Sequence, residues 1–296
     1  MEPDRASRTA GYMAFYRALE TARGDMGRIS DPLAIHFLDS ALARAARLSR
    51  VPPLGHLARW LSDLRAPGAR TSGIARTWLI DDWLCEVLHH GIDQFVILGA
   101  GFDSRAYRLS CVRSIVVFEV DHPATLTVKR ERLVRALSQV PTNVRLVAIN
   151  FNSEDLRNAL VNAGFDENRP AVFLWEGVTN YLDAEAVDSV LRLVAACVGR
   201  TRLIFTYVHR GAVDGSVVFE GAAQHRRNME RLGEPWTFGL FPEELSAFLR
   251  ARGLRLEKDL GARDYRRECY GESAEGMKGF DFYHLAMAAV AREPGY

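Results

Sequence analysis

Two short apolar runs, Phe95-Val96-Ile97-Leu98 and Ile115-Val116-Val117-Phe118, constrain this chain more than any other feature. The first runs into Gly99-Ala100-Gly101 and the second into Glu119-Val120-Asp121. Runs that are apolar on both faces suit strands of a parallel sheet buried between helix layers. Five further candidates follow, over 144–149, 171–175, 203–208, 254–260 and 282–290. Helical spacing falls between most of them: over 124–137, over 155–163, from the Asp183 cap to Gly199, and over 242–253. That alternation implies right-handed crossovers and an α/β, doubly wound sheet.

The stretch before the first strand reads as helices. Asp31-Pro32 is a start signal, after which Leu33, Phe37, Leu38, Ala41, Leu42 and Ala45 recur at helical spacing. The pattern breaks at Pro52-Pro53, resumes at Leu57, Trp60, Leu61 and Leu64, and reappears from Thr71 to a stop at Gly91. The expected organisation is an N-terminal helical cap over 1–91 and a sheet-bearing core over 92–296. The polar and aromatic stretch 209–241 reads as an insertion over the sheet. With 38 Lys+Arg against 37 Asp+Glu the net charge is +1, which disfavours nucleic-acid binding through bulk charge. No apolar run approaches the roughly 20 residues a spanning helix needs, and the start lacks a signal-peptide layout. The expectation is a cytoplasmic protein with neither nucleic acid nor membrane as a partner; its oligomeric state is not legible. Cys85, Cys111, Cys197 and Cys269 show no paired spacing, so free buried thiols and no metal site are expected.

In a doubly wound sheet the ligand lies beyond the carboxyl ends of the strands. Glycines after the first strand let the backbone turn tightly and approach a ligand. Asp121 follows the second strand, where a carboxylate can accept both hydroxyls of a ribose. A dinucleotide fingerprint would carry a third glycine at position 104, but Ser104 stands there, after Asp103. An acid at that helix mouth repels a pyrophosphate and suits an ammonium group. S-adenosylmethionine has the ammonium, the ribose and no phosphate.

The stretch Val96-Ile97-Leu98-Gly99-Ala100-Gly101-Phe102-Asp103-Ser104-Arg105-Ala106-Tyr107-Arg108-Leu109 resembles the first motif of the leucine carboxyl methyltransferase family, which includes polyketide carboxyl methyltransferases of tetracenomycin type. Four more segments agree in order: 76–82 (Arg76 to Asp82), 118–123, 175–182 and 233–239. The resemblance implies a Rossmann-like class I methyltransferase sheet and S-adenosylmethionine as cofactor. It implies that Arg76 reaches the methionyl carboxylate, that Gly99, Ala100 and Gly101 lie under the methionine, and that Asp121 holds the ribose, with His122 beside it. It also implies that Glu176 faces the amino group or the sulfonium region. Asp81-Asp82, just beyond Arg76, is expected to orient it. After the third strand the family usually has an acid followed by an apolar residue at the adenine, and here the pair is Asn150-Phe151. The Asn oxygen can still accept from an adenine amino group, and the Phe ring can pack on the base.

Methyl transfer from a sulfonium is an in-line displacement that alignment and desolvation can accelerate. A carboxylate acceptor is already ionised at neutral pH and needs no base, only a group that positions it. Tyr181 and Tyr207, after the fourth and fifth strands, are the candidates. A hydroxyl acceptor would benefit from a base, for which His209 stands just past the fifth strand. Trp236, Phe238 and Phe241 would wall an aromatic or polyketide-like acceptor. The leading expectation is methyl-ester formation on a small-molecule, secondary-metabolite carboxylate. Its rivals are a hydroxyl O-methyltransferase, a nicotinamide-dependent oxidoreductase, and a cofactor-binding scaffold without turnover.

Overall fold

The computed structural model describes residues 8–151 and 154–291. All seven expected strands form: β1 (Gln94–Leu98), β2 (Val116–Asp121), β3 (Val144–Ala148), β4 (Ala171–Trp175), β5 (Arg202–Val208), β6 (Leu254–Gly261) and β7 (Tyr283–Val290). They lie in one sheet in the order β3-β2-β1-β4-β5-β7-β6. The first five are parallel, and β7 runs antiparallel between β5 and β6. Strand order reverses between β1 and β4, which pair directly. The loops leaving those two strands therefore flank the crevice where a doubly wound sheet takes its ligand.

The helices are α1 (Arg8–Thr21), α2 (Ser40–Leu48), α3 (Pro52–Arg65), α4 (Ala69–His89), α5 (Arg105–Arg108), α6 (Pro123–Leu137), α7 (Leu156–Asn162), α8 (Ala184–Ala196), α9 (Arg210–Asp214), α10 (Ala222–Arg231), α11 (Pro242–Arg250) and α12 (Ala262–Tyr270). Two departures from the sequence pattern are instructive. The expected helix from Asp31 is cut in two. The Asp31 carboxylate does accept from the Leu33 and Ala34 amides, but the turn it starts is a single 3-10 turn that ends in extended backbone at Leu38. Asp39 then caps α2 by accepting from Ala41 and Leu42, a local side-chain bond that outcompetes a continuous helix. The second is α12, unexpected between β6 and β7, which lies on α4 with Arg266 donating to Ser72 Oγ at 2.9 Å. Separate apolar cores cover the two faces of the sheet, and a smaller one forms under 209–241 around Val208, Trp236 and Phe282.

The cysteine expectation holds for half its members. Cys197 and Cys269 are buried free thiols, each with its pKa pushed up by burial to about 12. Cys85 and Cys111 are joined in a disulfide instead. The end of α4 packs against the turn after α5, which brings two Cα atoms separated by 26 residues in sequence to 5.6 Å. No spacing rule could show that, because the proximity is tertiary.

Candidate active site

The glycine turn is bonded to the end of β2. Gly99 and Ala100 N–H both donate to the Val120 carbonyl, at 2.8 and 2.9 Å. Gly101 N–H donates to Asp121 Oδ2 at 2.6 Å, and His122 N–H to Asp121 Oδ1 at 2.6 Å. Burial raises the Asp121 pKa, and these amides together with Lys129 oppose that rise. From below, the fully buried Lys129 donates to the Ala100 carbonyl and pairs with Glu119 at 2.9 Å. Gly99 has φ of +69°, and a Cβ there would lie 2.3 Å from Val178 Cγ2. Its missing side chain thus makes room for the loop after β4 rather than for a ligand. At Gly101 a Cβ would meet the Ala10 methyl of α1 at 3.1 Å. The His122 ring caps α6, with Nδ1 accepting from Ala124 N–H.

Beside this turn lies a charged network that joins three segments far apart in sequence. Glu176, just past β4, accepts from Arg76 Nε and from Arg105 Nη1, each at 2.8 Å. Arg105 also pairs with Asp103 at 2.5 Å and with Asp81 at 2.7 Å. Burial works against ionised carboxylates here, but Arg105 and Arg76 outweigh it and keep the Glu176 pKa below its ordinary value. At Asp103 burial is likewise outweighed by Arg105, then by Lys129 and Arg17, and the pKa falls to about 2. The expectation that Asp81-Asp82 orients Arg76 is corrected. Five residues along a helix is about 140° around it, so Asp81 turns to Arg105 and Arg108 while Asp82 is exposed. Arg105 was not singled out by the sequence reading. The available signal was an arginine in the glycine motif of a chain with acids on both sides, since a buried cation must be paired. Its Nη2 is buried and has no hydrogen-bond partner.

Arg76 links this network to an aromatic group. Its guanidinium lies over the Tyr283 ring at 5.4 Å. Around Tyr283 stand Tyr181, Tyr265, Trp236 and Asn180. Tyr181 OH donates to Met229 Sδ at 3.6 Å, and burial holds its pKa above the ordinary phenol value, so the hydroxyl keeps its proton. Asn180 lies against the Tyr181 and Tyr283 hydroxyls, yet neither end of its amide makes a hydrogen bond of ordinary geometry. Trp236 Nε1, which lies against the Tyr181 hydroxyl, and Tyr265 OH are also buried without a hydrogen bond of ordinary geometry. Glu234 faces the same tyrosines, and its Oε2 accepts from Thr9 Oγ1 at 2.6 Å.

Other expected site residues lie elsewhere. The Tyr207 hydroxyl is taken by Asp259 on β6 at 2.8 Å, with the ring stacked on His284, so this side chain faces the far edge of the sheet. His209 caps α9: its Nδ1 accepts from Gly211 N–H at 3.1 Å, and its ring packs on Phe219 and Phe241. Burial, then His284, lowers its pKa. Phe238 packs on Phe248 in the core of the α8 face, away from Trp236. Asn150 N–H donates to Glu154 at 2.6 Å, and Phe151 lines an open groove of about 490 Å³ beside Leu182 and Val190.

A sheet of this order, with a glycine turn after β1 and acids after β2 and β4, defines a class I methyltransferase. The chain belongs to the leucine carboxyl methyltransferase family, whose model matches residues 10–195. A Frankia alni protein described as a "Putative S-adenosyl-L-methionine-dependent methyltransferase" is 34% identical over 223 residues, covering 72% of this chain and 73% of that one. A Mycobacterium relative with the same description is 33% identical over 215 residues, covering 68% and 67%. Solved structures share the fold: one from Thermobifida fusca, described as a "putative methyltransferase", at TM-score 0.62 and 18% identity (98% and 97% covered), and a DUF574-family protein from Streptomyces avermitilis at 0.59 and 16% (97% and 98%). The protein is a methyltransferase that uses S-adenosylmethionine. The donor set fits that cofactor. Acids and arginines meet in one network, Asp121 sits at the carboxyl end of β2, and the buried Arg105 Nη2 has a donor to spare.

Proposed function

We propose that the enzyme makes a methyl ester on a small-molecule carboxylate. The observation that carries this reading is the donor-rich aromatic group beside Arg76. The Asn180 amide, Trp236 Nε1 and Tyr265 OH are buried without a hydrogen bond of ordinary geometry, the first two lying against the Tyr181 hydroxyl, and the Tyr181 phenol stays protonated. An ionised carboxylate, which only accepts, matches such a set and needs no base. His209 uses its Nδ1 on α9, and Tyr207 is committed to Asp259, so both are set aside as catalytic groups in this reading. Tyr181 remains the residue that positions the acceptor.

Arg76, Arg105 and Glu176 would hold the amino-acid end of the cofactor and Asp121 its ribose. Gly99, Ala100 and Gly101 form the floor, with His122 beside the ribose. Asp103 acts chiefly through Arg105, since its oxygens already accept from the Arg105 backbone and side chain. Asn150 and Phe151 are assigned to the adenine. When bound, S-adenosylmethionine supplies an electrophilic methyl group, and a closed, dry site strengthens the alignment of an acceptor oxygen with it. A polyketide-like or other secondary metabolite suits the aromatic wall of Trp236, Phe280 and Phe282.

A second reading rests on Glu234. Its carboxylate faces Tyr181 and Tyr283, where it could take a proton from a hydroxyl acceptor. The test is incubation with methyl-labelled cofactor and a panel of aromatic acids and phenols. A labelled product that mild base hydrolyses is an ester and supports the first reading; one that survives is an ether and replaces it.

A further inference from the structure

The amphipathicity of α3 is inverted. Its inward side carries Gly55, Ala58, Arg59, Leu61 and Ser62, while Leu54, Leu57, Trp60 and Leu64 face outward, with Trp60 59% and Leu64 64% exposed. A helix on the surface of a globular protein normally turns its apolar stripe to the core. Leu48 and Val51, at the end of α2 and in the connection to α3, are at least half exposed and extend the apolar face. The cations beside it are Arg44, Arg47, Arg50 and Arg65, all exposed and, among the described residues, without a carboxylate partner. Over residues 40–65 there are five arginines and a single acid, Asp63, which is engaged by Arg70. In a chain whose net charge is only +1, positive charge and exposed apolar surface are concentrated in the same place.

We propose that α2 and α3 form a docking face for an anionic lipid surface, with α3 lying in the interface. Leucines and one tryptophan on the outer side, flanked by free arginines, are the composition of an interfacial helix. Apolar side chains enter the headgroup boundary while the arginines pair with lipid phosphates. Charge selects this occupant over a second copy of the chain, because an isologous contact would set the same arginines of both copies against one another. Among the described residues no helix is long and apolar enough to cross a membrane. The face therefore lies on a surface and does not span one.

The test uses the full chain and vesicles of phosphatidylglycerol mixed with phosphatidylcholine, against phosphatidylcholine alone. The expected result is flotation with the anionic vesicles that weakens as salt is raised. Trp83, Trp175 and Trp236 are buried and Trp78 is partly buried, so the quenching of tryptophan emission by brominated lipid that is lost in Trp60→Phe should report Trp60. Arg47→Gln combined with Arg50→Gln should lower partitioning about 30-fold, from roughly fivefold per arginine. Both changes are at exposed positions, and circular dichroism checks that the fold is retained. Absence of flotation at low salt overturns the proposal. So does flotation without quenching of Trp60. A concentration-dependent dimer that is lost in Leu57→Glu, in a protein that does not float, assigns the face to self-association instead.

Discussion

Gly99, Ala100 and Gly101 each give their amide to an acceptor at the end of β2, and Glu176 satisfies two arginines at once. Across Arg76, by contrast, Asn180, Trp236 and Tyr265 keep buried polar atoms that make no hydrogen bond of ordinary geometry. The geometry of the first region is set by backbone bonds and ion pairs, and the buried Arg105 Nη2 keeps a free donor there. The second carries unmet hydrogen-bonding capacity, which is costly in a core unless a ligand takes it up. The comparison separates residues whose loss should unfold the site from residues whose loss should leave a stable but poorly selective enzyme.

The largest effect is expected at Glu176. Glu176→Gln leaves the buried Arg76 and Arg105 short of a counter-charge, which should cost about 3 kcal/mol of unfolding free energy. Urea denaturation would measure it, and a loss under 1 kcal/mol would mean that Asp81 and Asp103 compensate. Next comes Asp121→Asn. The amide oxygen can accept from only one of the Gly101 and His122 amides, so stability should fall by about 1–2 kcal/mol, while affinity for S-adenosylhomocysteine should fall by roughly 1.5–3 kcal/mol. An unchanged affinity in calorimetry would remove Asp121 from the ribose. On the aromatic side, Asn180→Leu deletes unpaired polar atoms at similar volume. Stability should be kept or raised, cofactor affinity should be unchanged, and KM for the acid should rise about tenfold, the value of roughly one hydrogen bond to a charged group. A large stability loss with unchanged KM would break the contrast between the two halves.

The same contrast explains what could be read without a structure. All seven strands were legible, because a buried parallel strand leaves a continuous apolar run whatever surrounds it. Gly99, Gly101 and Asp121 were legible because they sit at fixed offsets from those runs. Arg105 was not, since its partners Asp81 and Glu176 lie 24 and 71 residues away and meet it only after the sheet has formed. Tyr207 follows from the same positional rule that finds Tyr181, yet β6 brings Asp259 to its hydroxyl, and a strand that pairs late in the sequence cannot be seen from β5 alone. The Cys85–Cys111 disulfide and the Asp39 cap within an apparently continuous helix failed for related reasons. One is a tertiary approach, and the other a local bond that overrides periodicity.

The smallest effect concerns His225, packed among Trp236, Phe280 and Phe282 at centroid distances of 5.3, 4.8 and 6.1 Å. Burial lowers its pKa to about 4, and no carboxylate offsets this. In the unfolded chain a histidine titrates near 6.5. The folded state therefore resists protonation, so the stability this group contributes is fully present above pH 6.5 and is lost as pH falls toward 4. At pH 5.5 the loss should be about 1 kcal/mol relative to pH 7.5. The check is the difference between wild type and His225→Phe in thermal unfolding across that range, since carboxylates common to both cancel. Parallel pH profiles would show that the ring is hydrated in solution, and that the aromatic half is more open than its packing indicates. A divergence growing below pH 6.5 would mark it as dry, the condition under which the unpaired donors of Asn180 and Trp236 have most to gain from an acceptor anion.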